Sequence, residues 1–580
     1  MSEKMSDDGH SPEDALLGGQ RTRKHQERCK WQGWMQIGLG VWAAVATVGI
    51  VVIAVMWVHA DTAPGSGLDK FPPSGKRNIV FMVSDGMGPT SLALTREYRQ
   101  LTDGLSWDNT LTLDKHLIGT SRTRSTNSLV TDSAAGATAF SCGIKSYNGA
   151  ISVLPDGSPC GTVLEAAKKA GYMTGLVVTT RLTDATPACF SAHVNMRMEE
   201  DRIAEQQLGD YPLGRVVDLM MGGGACHFLP NSTEGSCRKD DRDLVTEAQK
   251  KFGFQYVSGR KGFDSLEKGK KVKLPLLGLF ASTDIPFEID RKDEEYPSLD
   301  EMTEVALRVL EEATKDSDKG FFLMVEGSRI DHAGHGNDPA AQVREVLGYD
   351  KAFNRVLKFV ENAKNPSVLV ATSDHETGGL ALARQLHASY PEYLWYPEVL
   401  ANASSSSEYL AAKYASYSGS SSSEDEFVKD TILAEGLGIH DASDEEIEAL
   451  KAAKSGAAWV LADIISRRAQ VGWSTHGHSG VDVNIYGSKG SERLHGNHEN
   501  TDVGNFIKDF LEIDVDAVTE ELKEKGVDRA VTMEEVEEGG MLVSQVREYP
   551  WMGRSLHELA KDSFETAGVD CYHGDFKHKH

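Results

Sequence analysis

Four short apolar runs constrain this chain more than any other feature. They are NIVFMVS (78–84), TGLVVTT (174–180), GFFLMVE (320–326) and SVLVATS (367–373). Such runs, rich in β-branched and aromatic residues and too short for buried helices, read as central strands covered on both faces. Helical stretches separate them: TVLEAAKKAG (162–171), TEVALRVLEEATK (303–315) and QVREVLGYDKAFNRVLKFVENAK (342–364). Strands alternating with helices predict an α/β fold with a central, mostly parallel sheet and helices on both faces. Carboxylates sit at the ends of the runs: Asp85 after the first, Glu326 in the third, Asp374 after the fourth, with Asp184 and Thr186 shortly after the second. Open α/β sheets bind ligands beyond the carboxyl ends of their strands, so these groups are expected to converge.

One segment is not globular. Residues 37–58, IGLGVWAAVATVGIVVIAVMWV, carry no charge and are long enough to span ~30 Å of hydrocarbon. Trp31, Trp34 and Trp57 flank it as interfacial aromatics, and Arg21, Arg23, Lys24, Arg28 and Lys30 precede it. The positive-inside rule puts the tail, 1–36, in the cytosol and the rest across the membrane, a single-pass type II arrangement. The alternative, a cleaved signal peptide ending at Val58-His59-Ala60, asks for a shorter apolar core and an earlier start. The polar C-terminus excludes a GPI signal. Residues 59–75 read as a stalk, 76–513 as the catalytic body with a serine-rich insertion at about 402–430, and 514–580 as a charged appendage. Lumenal placement suits six of the seven cysteines, Cys29 excepted, and two glycosylation sequons at Asn231 and Asn402. Cys226 and Cys237 flank the first sequon and could close a small loop; the sequence leaves the pairing open. Glu13-Asp14-Ala15-Leu16-Leu17 resembles an acidic dileucine signal for a cytosolic sorting adaptor, against the plainer reading of a stray Leu pair. A net charge of −26, from 61 basic and 87 acidic residues, argues against a nucleic-acid partner.

Several clusters carry chemistry. Asp331 and His335 lie four apart, so one helical turn can offer a carboxylate and an imidazole to one divalent ion. Asp374-His375 follows a strand, and His476-Gly477-His478 supplies further imidazoles, of which a His-rich loop explains one or both. In VTDSAAGATA (130–139) the small residues after Ser133 suit a tight first helical turn, where unpaired amides favour phosphate. The bland reading is a serine N-cap. No G-x-S-x-G elbow surrounds Ser133, so its activator would be a metal.

VTDSAAGATA, DATPACFSAHVNMR (184–197), VEGSRIDHAGH (325–335), TSDHETGG (372–379) and HSGVDV (478–483) together resemble the alkaline phosphatases, in order and over about residues 77–510. With an anchor and no GPI signal, the chain looks most like the fungal vacuolar, membrane-anchored members. The resemblance implies phosphate monoester hydrolysis of broad specificity through a phosphoserine at Ser133, with two Zn2+ and one Mg2+. It assigns Asp374 and His375 to the zinc beside the serine, and Asp331, His335 and His478 to the second zinc. Asp85 bridges to the magnesium, whose other ligands are Thr186 and Glu326, with Asp184 behind them. Arg197 matches the guanidinium that clamps phosphate, and Asp132 and His332 match substrate-orienting positions. Members vary at Asp184 and His332, carrying acid or His at the first and Lys or His at the second. A homodimer and a vacuolar location are further implications. The nucleophile motif of sulfatases, Cys- or Ser-x-Pro-x-Arg, is absent around Ser133.

Overall fold

A computed structural model describes residues 41–42, 45–49, 75–525, 530–531, 546–547 and 549–554. A ten-stranded sheet organises the body. Its strands are β1 (Asn78–Val83), β2 (Leu117–Arg122), β3 (Met173–Arg181), β4 (Leu219–Gly223), β5 (Gln255–Ser258), β6 (Leu276–Leu279), β7 (Phe321–Glu326), β8 (Ser367–Thr372), β9 (Val483–Gly487) and β10 (Gly496–Glu499). They lie in the order β10-β2-β9-β8-β1-β7-β3-β4-β6-β5. Every neighbouring pair is parallel except those made by β9, which runs antiparallel to β2 and β8. The four apolar runs are thus strands, and they sit side by side as β8-β1-β7-β3 in the middle of the sheet.

Alternation along β1 shows why these runs must be apolar throughout. Ile79, Phe81 and Val83 enter one core, with Phe140, Leu176 and Phe190. Val80 and Met82 enter the core on the other face, with Leu310, Val325 and Phe353. Both faces are covered by helices, so neither parity of side chain can be polar. Three helices position the site: α1 (Ser133–Cys142), α2 (Ala185–Ser191) and α3 (Arg329–His335). The anticipated helices are present at Val163–Lys169, Leu299–Ala313 and Pro339–Asn362. The second begins earlier than the apolar period suggests because Ser298 and Glu301 form a reciprocal capping box.

Two stretches marked out by composition carry structure of their own. The serine-rich stretch around 402–430 is folded: Ser406 caps a helix at Ser407–Ala415, and a π-helix spans Phe427–Gly436. Leu410, Val428, Ile432 and Leu433 join a third apolar core with Leu400, Leu461 and Ile465. Spaced apolar residues, not the serine content, decide its state. The charged end expected as an appendage from 514 also begins inside the body. Asp514 caps Val515–Glu524, whose Val515, Val518 and Leu522 are buried in the first core. Further on, Tyr549 and Met552 pack with Val153.

Disulfides join Cys142 to Cys160 and Cys226 to Cys237, the latter closing the loop that exposes Asn231; Cys189 is a buried thiol. Asn402 is exposed as well. Among the described residues no helix is long and apolar enough to cross a membrane. The 37–58 segment lies for the most part outside the described residues, as do the tail with Leu16, Leu17 and Cys29, nearly all of the stalk, Cys571 and 555–580.

Candidate metal centre and active site

The strand registers align the carboxylates. Val83 is level with Glu326 of β7 and with Thr372 of β8, and Val178 of β3 is level with Glu326. Asp85, Glu326 and Asp374 therefore leave neighbouring strands at one edge. Two donor sets form there. Asp331, His335 and His478 make one, and Asp85, Asp374 and His375 the other, each with its donor atoms within 4.8 Å of one another. In the first, His335 Nε2 lies 3.3 Å from Asp331 Oδ2 and 3.2 Å from His478 Nε2. In the second, His375 Nε2 lies 3.2 Å from Asp374 Oδ2 and 3.5 Å from Asp85 Oδ1. The His375 and His478 rings stack at 3.5 Å, so the two sets are adjacent. Glycine permits the crowding: a Cβ on Gly86, at φ +74°, would stand 2.5 Å from the Asp331 Cα.

Ser133 opens α1 beside these sets, and its Oγ is 3.1 Å from His375 Nε2. Asp132 caps the helix by accepting from the Ala135 amide at 2.9 Å. Its second oxygen takes the Gly149 amide at 2.9 Å and faces Arg197 Nη1 at 3.5 Å. Asp184 Oδ1 accepts from Arg197 Nη2 at 3.0 Å. Arg197 is thus aimed by two carboxylates. Glu326, buried, accepts from the Ser328 hydroxyl at 2.6 Å, and the Thr186 hydroxyl is buried with no hydrogen-bond partner. His332 behaves differently from the other site residues. Its Nδ1 accepts from Arg329 Nε at 3.2 Å and stands 3.7 Å from Asp284, outside both donor sets.

The electrostatics call for cations. Burial raises Asp85 well above the carboxylate range, and Asp374, Asp331 and Glu326 push it further. Burial lifts Glu326 to about 8. Burial also works against ionised Asp331 and Asp374, but the imidazoles overcome it and hold both low: His335, His478 and His375 at Asp331, His375 at Asp374. Asp85 Oδ1 and Asp374 Oδ2 are buried with no hydrogen-bond partner, aimed into the same space as His375 Nε2. So many buried acids are costly unless positive charge lies among them. The mixed carboxylate–imidazole sets suit zinc, and the all-oxygen set of Asp85, Thr186 and Glu326 suits magnesium.

The supporting residues lay beyond sequence reasoning. His478 Nδ1 donates to the Thr131 carbonyl at 2.7 Å, and His335 Nδ1 donates to the His476 carbonyl. His375 Nδ1 meets the Thr377 hydroxyl at 3.2 Å, and that hydroxyl donates to Asp331. Each ring therefore carries its proton on Nδ1 and turns the Nε2 lone pair inward, the usual arrangement around a bound metal. His476 contributes its carbonyl and its Nδ1, 2.8 Å from the His335 carbonyl, which leaves His478 as the member of the donor set. Thr131 and Thr377 had only a motif as signal, VTDSAAGATA for the first and TSDHETGG for the second, and neither motif showed what they would bind.

Known proteins are similar to this chain over most of its length. Residues 76–513 match the alkaline phosphatase family. The chain is 54% identical over 508 residues to the repressible alkaline phosphatase of Saccharomyces cerevisiae, covering 83% of this chain and 89% of that protein. It is 47% identical over 503 residues to the alkaline phosphatase of Schizosaccharomyces pombe, covering 86% and 91%. Among solved structures, Thermus thermophilus alkaline phosphatase superposes with a TM-score of 0.65 at 28% identity, over 80% of this chain and 99% of that one. A variant of the TAB5 enzyme with Mg bound in its M3 site gives 0.53 at 26% identity, over 77% and 100%. This chain belongs to the alkaline phosphatase family and is a phosphate monoester hydrolase.

Proposed function

We propose that this chain hydrolyses a broad range of phosphate monoesters through a phosphoserine at Ser133, with two zinc ions and one magnesium ion. The observation that carries the reading is Ser133 Oγ, 3.1 Å from His375 Nε2 at a buried helix start. Asp331, His335 and His478 would hold one zinc, Asp374 and His375 the other, and Asp85, Thr186 and Glu326 the magnesium. When bound, these ions supply Lewis-acid stabilisation of the attacking and leaving oxygens and make serine and water more acidic.

The chain's own groups do the rest. Arg197, steered by Asp132 and Asp184, binds two phosphoryl oxygens with its fork, and the first amides of α1 add their dipole. Ser133 Oγ attacks phosphorus in line; the P–O bond to the ester oxygen breaks, and the alcohol leaves as it gains a proton. Water then attacks the phosphoserine from the vacated side, the Ser133 Oγ–P bond breaks, and inorganic phosphate departs. Ser133→Ala tests the scheme. It should abolish acid-stable phosphate labelling and lower turnover by orders of magnitude with metal content near normal. Undiminished labelling would move the nucleophile elsewhere.

Residues 37–58 support a type II anchor, with the catalytic body lumenal in the vacuole, glycosylated at the exposed Asn231 or Asn402, and homodimeric. Leu16 and Leu17 would engage a cytosolic sorting adaptor.

A further inference from the structure

Arg181 ends β3, the central strand that leads into α2, and its side chain is only 6% exposed. Its guanidinium spends every edge on a carboxylate. Nε donates to Glu200 Oε2 at 2.9 Å, Nη1 to Asp284 Oδ1 at 2.8 Å, and Nη2 to Asp184 Oδ2 at 3.2 Å. Each acid is tied down in turn. Asp284 Oδ1 also takes the Arg181 amide at 3.0 Å, Glu200 takes the Thr183 hydroxyl at 2.6 Å, and Asp184 takes the Ala185 amide at 2.7 Å.

The other oxygen of Asp184 reaches the site. Oδ1 accepts from Arg197 at 3.0 Å, so one carboxylate is shared by two guanidinium groups. The first is buried and fixed to the end of the sheet; the second is 23% exposed at the mouth of the site. A long side chain gains from such a fixed partner, because orienting it on demand costs rotamer freedom at each binding event. Lysine could not replace Arg181 here: a single ammonium cannot meet three acids set around a planar fork. We propose that Arg181 is a positioning residue for phosphate binding, which fixes Asp184 and, through Asp184, the guanidinium of Arg197.

This rests on Arg197 being the phosphate clamp, and a double-mutant cycle separates the two ideas. The metal-loaded full chain and its variants would be titrated with inorganic phosphate by calorimetry, and Km and kcat measured alongside. Arg181→Lys should raise the phosphate Kd and the Km by about 3- to 10-fold, the scale of a coupled network. In an Arg197→Ala background the same substitution should change the phosphate Kd by less than about twofold. An equal effect in both backgrounds, or none with Arg197 intact, overturns the positioning role while leaving the clamp standing. A phosphate Kd unchanged by Arg197→Ala alone overturns both. Should Arg181→Lys unfold the protein, Glu200→Gln, which removes the charge facing Nε and keeps the shape, carries the same cycle with the same outcomes.

Discussion

Arg197 faces Asp132 and Asp184, whereas Thr377 faces Asp331 and His375 of the donor sets. Arg197→Ala removes a charge-assisted, two-point contact and should cost ~2–3 kcal/mol of phosphate affinity, with turnover kept in part. Inhibition by inorganic phosphate measures it; inhibition as strong as in the wild type would reject the clamp. Thr377→Val keeps the shape but removes a hydroxyl that binds both His375 Nδ1 and Asp331. Comparable losses around metal ligands are about 10–100-fold in metal affinity, readable by competition with a chromogenic chelator. An unchanged affinity would demote the hydroxyl to packing. At this scale the ligand types were legible in the sequence, because Asp, His and Ser carry their chemistry wherever they stand. Arg181, Asp284 and Thr131 were not, since each matters only through a neighbour that folding brings.

Helix α1 meets the end of β8 with almost no clearance. A Cβ on Gly136 would stand 2.9 Å from the Asp374 Cβ. Gly136→Ala pits a helix-propensity gain of ~1 kcal/mol against displacement of Ser133 from the donor sets. We expect kcat to fall at least tenfold, the scale of a ~1.4 kcal/mol loss, while the thermal midpoint stays within a few degrees. Full activity would show that the helix slides without consequence. The central strands could be read directly, since burial on both faces leaves only apolar runs. β9 could not: VNIYG contains Asn484, and its place between β2 and β8 depends on pairing with segments far away in sequence. The helices around 402–430 were hidden by composition, because serine tracts conceal the spacing of Leu410, Val428 and Ile432.

Across the whole molecule, the proposed ions would link metal binding to folding. Ions that bind the native sets and not the unfolded chain stabilise it by about 4 kcal/mol at a thousand times the dissociation constant. Chelation should therefore lower the melting temperature, and zinc with magnesium should restore it; an unmoved midpoint would argue against resident ions. Acidification acts the same way, because protonating His335, His375 and His478 removes the lone pairs that a metal needs. Topology is tested separately. On the topology proposed above, a Leu16→Ala, Leu17→Ala chain should be missorted, and endoglycosidase should lower the apparent mass of the wild type. Unchanged sorting or unchanged mass would count against each.

The clasp between His478 and the Thr131 carbonyl spans 347 positions. That separation sets a timetable. While the ribosome is still making β8, Ser133 already exists, but the strand bearing His478 does not, and α1 has nothing to close against. A contact this distant cannot form until both of its ends exist, and its loop-closure cost makes it slow. On the proposed scheme a half-made chain can therefore neither capture a full complement of ions nor attack an ester. Reactivity arrives in one late step, when the polypeptide is almost whole.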